Sequence, residues 1–160
     1  MGNERIKEAI FDAGPIIHLH EIEKIDLLNL FEKIYITEEV NNEIKNIKLD
    51  NIKNIRLNKK SKDFSKGLIM RYGVDLGEAT AIALAKQLNI ELFFTDDLLA
   101  RDVSKQFNLE PHGSLAIITR CYKTKMISKE ETIDCLRLLE EKSSLFITSD
   151  IVNDVIKKLG

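Results

Sequence analysis

Five carboxylates are the residues on which chemistry can be built in this 160-residue chain: Asp12, Glu43, Glu78 and the adjacent pair Asp96 and Asp97. Asp12 ends the apolar run Ala9-Ile10-Phe11, and Asp96-Asp97 follow Leu92-Phe93-Phe94-Thr95. Two unit charges 4 Å apart repel by about 4 kcal/mol at an effective dielectric near 20. Carboxylates that converge must therefore hold a hard cation or raise some of their pKa values. Oxygen ligands without organised His or Cys select Mg²⁺ or Mn²⁺ over zinc. The chemistry such a set equips is metal-assisted phosphodiester hydrolysis, in which one ion activates water and a second stabilises the leaving oxygen.

For that, elements distant in sequence must bring the acids to one place. Ala9 to Phe11, Ile34 to Ile36 and Leu92 to Phe94 read as short buried strands, with another near Leu109 to His112. Pro15 suits the first position of a helix after Asp12. Ile16 to Leu19 and Ile25 to Phe31 read as helical, Thr37 as the N-cap of a helix from Glu38, and residues 47–57 as a loop plus an edge strand. Lys59 to Arg71 is amphipathic. Asp75 to Leu88 is the clearest helix, with Ala81, Leu84, Ala85 and Leu88 on one face. Beyond the Gly113-Ser114 turn, Ser128 and Glu131 match a capping box ahead of Ile133, Leu136 and Leu139. Val152, Val155, Ile156 and Leu159 mark a last helix. Strands alternating with helices predict an α/β sandwich on a mainly parallel sheet. Sites in such sheets form outside the carboxyl ends of the strands, and there Asp12 and Asp96-Asp97 meet if their strands are neighbours.

Each acid also has a plainer reading. Asp12 can be a turn or cap residue, Asp96 an N-cap, and Asp97 an i,i+4 partner of Arg101. Glu43 lies at the edge of the stripe formed by Val40, Ile44 and Ile47, where a solvated charge serves as well. Glu78 shares the face of Ala81, Ile82 and Ala85, so it is either a core carboxylate that must be paired or an exposed first-turn Glu.

Composition bounds the rest. With 44% apolar and 31% charged residues, seven Gly and two Pro, the chain is neither disordered nor fibrous. A formal charge of −2 excludes a generally basic, nucleic-acid-clamping surface, though not a local basic groove. Cys121 and Cys135 make neither a disulfide framework nor a metal finger and suit buried packing. No apolar run approaches the roughly 18 residues of a membrane helix. The start has no secretory apolar segment, and Met1-Gly2 lacks the Ser or Thr of a myristoylation signal, since Ile6 stands there. The expected setting is cytoplasmic, with no membrane attachment, and the expected organisation is a single domain over residues 1–160.

Four segments in order (FDAGPIIHL with Asp12, ITEEVNNEI with Glu43, DLGEATAIALA with Glu78, FFTDDLLAR with Asp96 and Asp97) resemble a PIN domain of the VapC-like kind known from prokaryotic toxin–antitoxin systems. The likeness runs from about Ile6 to Ile118, and the final helices resemble the tail of one VapC-related subgroup. It implies a three-layer sandwich on a Rossmann-like parallel sheet, with residues 115–160 as a helical C-terminal extension. The implied activity is an Mg²⁺- or Mn²⁺-dependent endoribonuclease acting on single-stranded or structured RNA. Asp12, Glu43 and Glu78 carry over as metal-coordinating, catalytic carboxylates. The fourth position falls on Asp96 or Asp97, the latter matching the commoner Thr-x-Asp pattern. A toxin role with an antitoxin partner follows from the same likeness. The aliphatic C-terminal helices are expected to cover an exposed face, form a homodimer or bind the antitoxin, with core packing as the alternative.

RNA contact is expected from Arg101 at the site mouth, from Thr95 through a metal-bound water, and from the basic stretches Lys59 to Arg71 and Lys123 to Lys125. Pairing with Asp97, an N-cap role and a solvated helix face are the respective alternatives. His18, His20 and His112 are not assigned to catalysis. Two other functions compete: a catalytically inactive PIN-like module for RNA binding or assembly, and a phosphotransfer receiver. The receiver wants its acidic pair after the first strand, whereas this chain places its pair after a later one.

Overall fold

The structure is a computed structural model that describes residues 4–160, so the Met1-Gly2 start lies outside the described residues. Its sheet contains β1 (Ile6–Phe11), β2 (Phe31–Ile36), β3 (Ile52–Asn54), β4 (Leu92–Phe94) and β5 (Glu110–His112). All pairings are parallel, in the order β3-β2-β1-β4-β5. The helices are α1 (Ala13–Glu21), α2 (Glu38–Ile44), α3 (Lys59–Tyr72), α4 (Leu76–Leu88), α5 (Leu98–Gln106), α6 (Ser114–Lys123), α7 (Lys129–Lys142) and α8 (Ser149–Lys158), with a 3-10 helix at Ile25–Leu30.

Central strands of a parallel sheet are covered on both faces and read as unbroken apolar runs. In β1, Ala9 and Phe11 face one apolar cluster and Ile10 the other; in β4, Phe94 and Phe93 divide in the same way. Phe11 stacks on Phe94 at 4.8 Å and meets Phe31 edge-on at 5.0 Å, locking β1, β2 and β4 together. The Phe11 face is closed by α1, α2, the 3-10 helix and α6–α8, through Ile16, Leu28, Val40, Ile117, Leu136 and Val152. The Ile10 face is closed by α3, α4 and α5, through Leu68, Ile82 and Val103. Cys121 and Cys135 are free thiols buried in the first cluster.

Two local expectations change. The first helix begins at Ala13 with Asp12 as its cap, so Pro15 is the third helical residue. The Ile25–Phe31 helix is a 3-10 turn that stops at Leu30, because Phe31 is buried and paired with Ile6 at the start of β2. Residues 47–57 hold a loop and a three-residue edge strand, β3, as expected. Thr37, Asn58, Asp75, Asp97, Ser128 and Thr148 all cap helices by accepting from a main-chain N–H three residues on. No helix among the described residues is long and apolar enough to cross a membrane.

Candidate active site

The chain builds β1, β2 and β3 outward in one direction, then returns to place β4 on the other side of β1. This reversal opens a crevice outside the carboxyl ends of β1 and β4. The Phe11–Phe94 pairing sets the residues after each strand side by side. Asp12 N–H donates to Phe94 O at 2.9 Å. Thr95 Oγ1 donates to Asp12 Oδ2 at 2.9 Å, and Ala13 N–H donates to Asp12 Oδ1 at 2.8 Å.

The second wall is the start of α4. Asp75 and Glu78 form a reciprocal capping box: Glu78 N–H donates to Asp75 Oδ1 at 2.8 Å, and Asp75 N–H donates to Glu78 Oε1 at 3.0 Å. Glu78 lies in the first turn of α4 but is only 8% exposed, so the buried reading holds and the exposed one does not. Glu43, near the end of α2, reaches over Gly77. A Cβ on Gly77 would collide with Glu43 Oε1, so the absence of a side chain there admits this carboxylate beside Asp75.

These side chains share a cavity of about 300 Å³, lined by Asp12, His18, Glu43, Asp75, Glu78, Asp96 and Asp97, with Gly14, Ile17 and residues 144–146 at its margin. Among the described residues, none of Asp12, Glu43, Asp75, Glu78 or Asp97 has a basic partner within ion-pair distance. Burial pushes the Asp12 carboxyl up to about 7, against the Ala13 and Thr95 hydrogen bonds and with further upward pressure from Asp75 and Glu43. Burial also pushes Glu78 up to about 7, opposed by the Asp75 N–H and reinforced by the charges of Asp75, Asp97 and Asp12. Glu43 is raised by burial and by Asp75.

As a donor set this is all oxygen and short of positive charge, which suits a hard divalent ion. Among the described residues, no three His, Cys, Asp or Glu side chains already close around one point as a metal cage. Mg²⁺ does not require one: it commonly keeps several waters and takes one or two carboxylates together with substrate phosphate.

Asp96 belongs to a different arrangement. Its Oδ1 accepts from Ser114 N–H at 2.6 Å, and its Oδ2 accepts from Ser114 Oγ at 2.6 Å and lies 2.6 Å from His18 Nδ1. Arg101 Nη2 stands 3.7 Å from Oδ1. Burial pushes this carboxyl up, but the His18 and Ser114 hydrogen bonds outweigh it and hold Asp96 below the usual carboxylate range. A Cβ on Gly113 would meet Arg101 Nη2 and Asp96 Oδ1, so a side chain there would displace one or both of these groups.

Thus the plain roles of the two aspartates exchange. Asp97 is the N-cap of α5, accepting from Ala100 N–H at 2.8 Å, and Arg101 pairs with Asp96 instead of Asp97. Arg101 also donates from Nε to Thr95 O at 3.0 Å, which commits much of its guanidinium to the protein. Thr95, expected against substrate or a metal-bound water, is fully buried, and its hydroxyl holds Asp12 while accepting from Asp97 N–H at 3.2 Å. Sequence reasoning missed Asp75, His18 and Ser114. The Asp75-x-x-Glu78 capping pattern was there to be read; nothing local marks His18 or Ser114 as partners of Asp96.

A groove of about 490 Å³ lies at the opposite end of the sheet, beside the start of β1 and α6. Its charges are of both signs (Glu4, Glu110, Arg5, Arg120, Lys123), and Arg5 donates to the main-chain oxygens of Asn29 and Phe31. The carboxyl end, by contrast, gathers carboxylates that have no basic partner among the described residues.

A family model for the PIN domain matches residues 8–160. No curated protein and no solved structure matches the chain.

Proposed function

The chain belongs to the PIN-domain family, a nuclease-type fold, and from that premise we propose that it is an Mg²⁺- or Mn²⁺-dependent endoribonuclease whose site is the acidic cavity. One observation carries the reading: Asp12, Glu43, Asp75, Glu78 and Asp97 share a cavity and have no basic partner among the described residues. Asp12, Glu43, Glu78 and Asp97 are the residues that would hold the ion. Asp96 we assign to positioning, since its charge is already met by His18, Ser114 and Arg101. The ion, when bound, polarises the phosphate and lowers the pKa of water.

The chain's own residues do the rest. Thr95 holds Asp12 by one oxygen and Ala13 N–H holds it by the other, so the carboxylate cannot rotate away from the crevice. The Asp75 N–H fixes one oxygen of Glu78. The excess of negative charge makes the ionised state costly until a cation arrives.

The second reading is an inactive PIN-like module for RNA binding or assembly, favoured by the lack of a ready-made three-ligand cage among the described residues. Incubation with single-stranded and structured RNA in Mg²⁺ or Mn²⁺ separates the two. The enzyme predicts cleavage that EDTA abolishes and that Asp12→Asn lowers by about 10²–10³-fold, the scale of one preorganised electrostatic group. No cleavage in any divalent ion leaves the inactive module. The proposal extends to a cytoplasmic toxin, restrained by an antitoxin and working as a homodimer. Growth arrest on expressing the wild type but not Asp12→Asn is its readout.

A further inference from the structure

We propose that Phe146 is a stacking platform for an unpaired base of the RNA, next to the phosphate at the acidic cavity; this rests on the nuclease reading above. Phe146 is 93% exposed and lines the same cavity as Asp12, Glu43, Glu78 and Asp97. A lone exposed apolar side chain needs no explanation. Its setting here does.

The ring sits on the connection between α7 and α8, and that connection is tied down. Ser144 donates from N–H and Oγ to Glu21 Oε1 at 2.8 and 2.9 Å, and Ser143 Oγ donates to Leu139 O at 2.6 Å while accepting from Leu145 N–H at 3.2 Å. Leu145 and Ile147 pack against the core cluster on either side of it. With both flanking side chains turned inward, Phe146 is held outward. Two further exposed apolar residues each follow a carboxylate of the cavity: Leu76 after Asp75, 55% exposed, and Leu98 after Asp97, 71% exposed.

Electrostatics gives this apolar margin its purpose. A polyanion approaching the cavity meets carboxylates, and among the described residues the cavity lining contains no Lys or Arg; His18, its one basic residue among them, is engaged with Asp96. Affinity for RNA near the cut must therefore come in part from uncharged contacts. Stacking on an aromatic ring is such a contact, tolerates any base, and is worth about tenfold or more in affinity per base. It also selects the substrate, because a base inside a duplex already has both faces covered.

The chain contains no Trp, so Phe146→Trp places a single indole at the site while keeping an aromatic face. Fluorescence titration of this full-length variant, with Asp12→Asn added to prevent cleavage in Mg²⁺, uses three probes: a single-stranded oligoribonucleotide, the same oligonucleotide in a duplex, and an abasic strand with the same phosphates. Saturable quenching by the single strand alone is expected. Phe146→Ala should bind the single strand about tenfold more weakly yet leave abasic binding unchanged. In cleavage it should raise KM about tenfold with kcat preserved.

An indole that saturating single strand does not perturb overturns the proposal, as does Phe146→Ala with wild-type affinity and KM. So does indole emission that follows protein concentration alone, with Phe146→Ala sedimenting as a smaller species; the ring would then be an interface between copies. Quenching without cleavage by the wild type in any divalent ion removes the nuclease and leaves the stacking. Cleavage by Phe146→Ala at wild-type KM does the reverse.

Discussion

Asp12 and Asp96 are aspartates just past the carboxyl ends of adjacent strands, with little of either side chain exposed, yet their surroundings are opposite. Asp96 accepts from Ser114 N–H and Oγ, touches His18 and has Arg101 nearby, so its charge is completed inside the protein. Asp12 has a hydroxyl and one N–H, no cationic partner among the described residues, and Asp75 and Glu43 pressing on it. Burial acts on both in the same direction; the donors decide the sign, lowering one group and leaving the other raised to about 7. A carboxylate already neutralised by its own chain is architecture. One left uncompensated at equal depth is available to a cation from outside.

The largest expected effect tests the architectural half. Removing one partner of a buried charge pair costs about 3–5 kcal/mol, so Asp96→Asn should lower the melting temperature by about 10 °C. It leaves His18, Arg101 and Ser114 without their carboxylate. Asp12→Asn should leave metal-free stability at neutral pH unchanged or raise it, since it removes an uncompensated buried charge. Melting curves of the two variants check this. Asp96→Asn as stable as wild type but devoid of cleavage would break the comparison and return Asp96 to the metal.

That division was only partly written in the sequence. The buried strands and the caps at Thr37 and Ser128 follow from local pattern, because apolar runs and capping residues act over a few positions. The meeting of Asp12 with the Thr95-Asp96-Asp97 corner depends instead on β1 and β4 being neighbours. Asp96 and Asp97 are locally almost equivalent, and what separates them arrives from far away. Ser114 is brought by β5 and the start of α6, and His18 lies 78 residues earlier on α1. The same distance hides Glu43 at Gly77, a contact between α2 and α4 that no spacing reveals. Nothing local marks Phe146 either: an aromatic between Leu145 and Ile147 has the composition of core, and only the inward packing of those two neighbours leaves it outside.

The next effect separates the two aspartates by pH, in EDTA. Asp12 moves from 3.8 to about 7 and Glu78 from 4.5 to about 7, so the native state holds their protons more tightly than the unfolded chain does. The stability this contributes is complete below pH 4 and is lost as pH rises through about 7. At about 1.36 kcal/mol per unit, the Asp12 contribution is at most about 4 kcal/mol. Asp96 works with the opposite sign, since its lowered carboxyl contributes stability above its ordinary value of 3.8 that is lost only in stronger acid. Urea titrations at pH 5 and pH 8 should show the metal-free protein weaker at pH 8, and Asp12→Asn should flatten the slope. A slope that Asp12→Asn leaves intact would place the titrating group elsewhere.

The smallest effect is the response to the ion itself. At pH 8 Asp12 and Glu78 have lost their protons, so Mn²⁺ at ten times its dissociation constant should add about 1.4 kcal/mol, or a rise of about 3–5 °C in melting temperature. At pH 5 protons already occupy Asp12 and Glu78, and the same Mn²⁺ should raise the melting temperature far less. Asp12→Asn should lose the pH 8 response, while Asp96→Asn, melting lower throughout, should keep it. That last contrast is the sharpest, because a general salt effect would move both variants alike. Identical wild-type curves at pH 8 with and without Mn²⁺ would mean that protons alone relieve the cavity, and the inactive module would become the better account of why these acids are gathered.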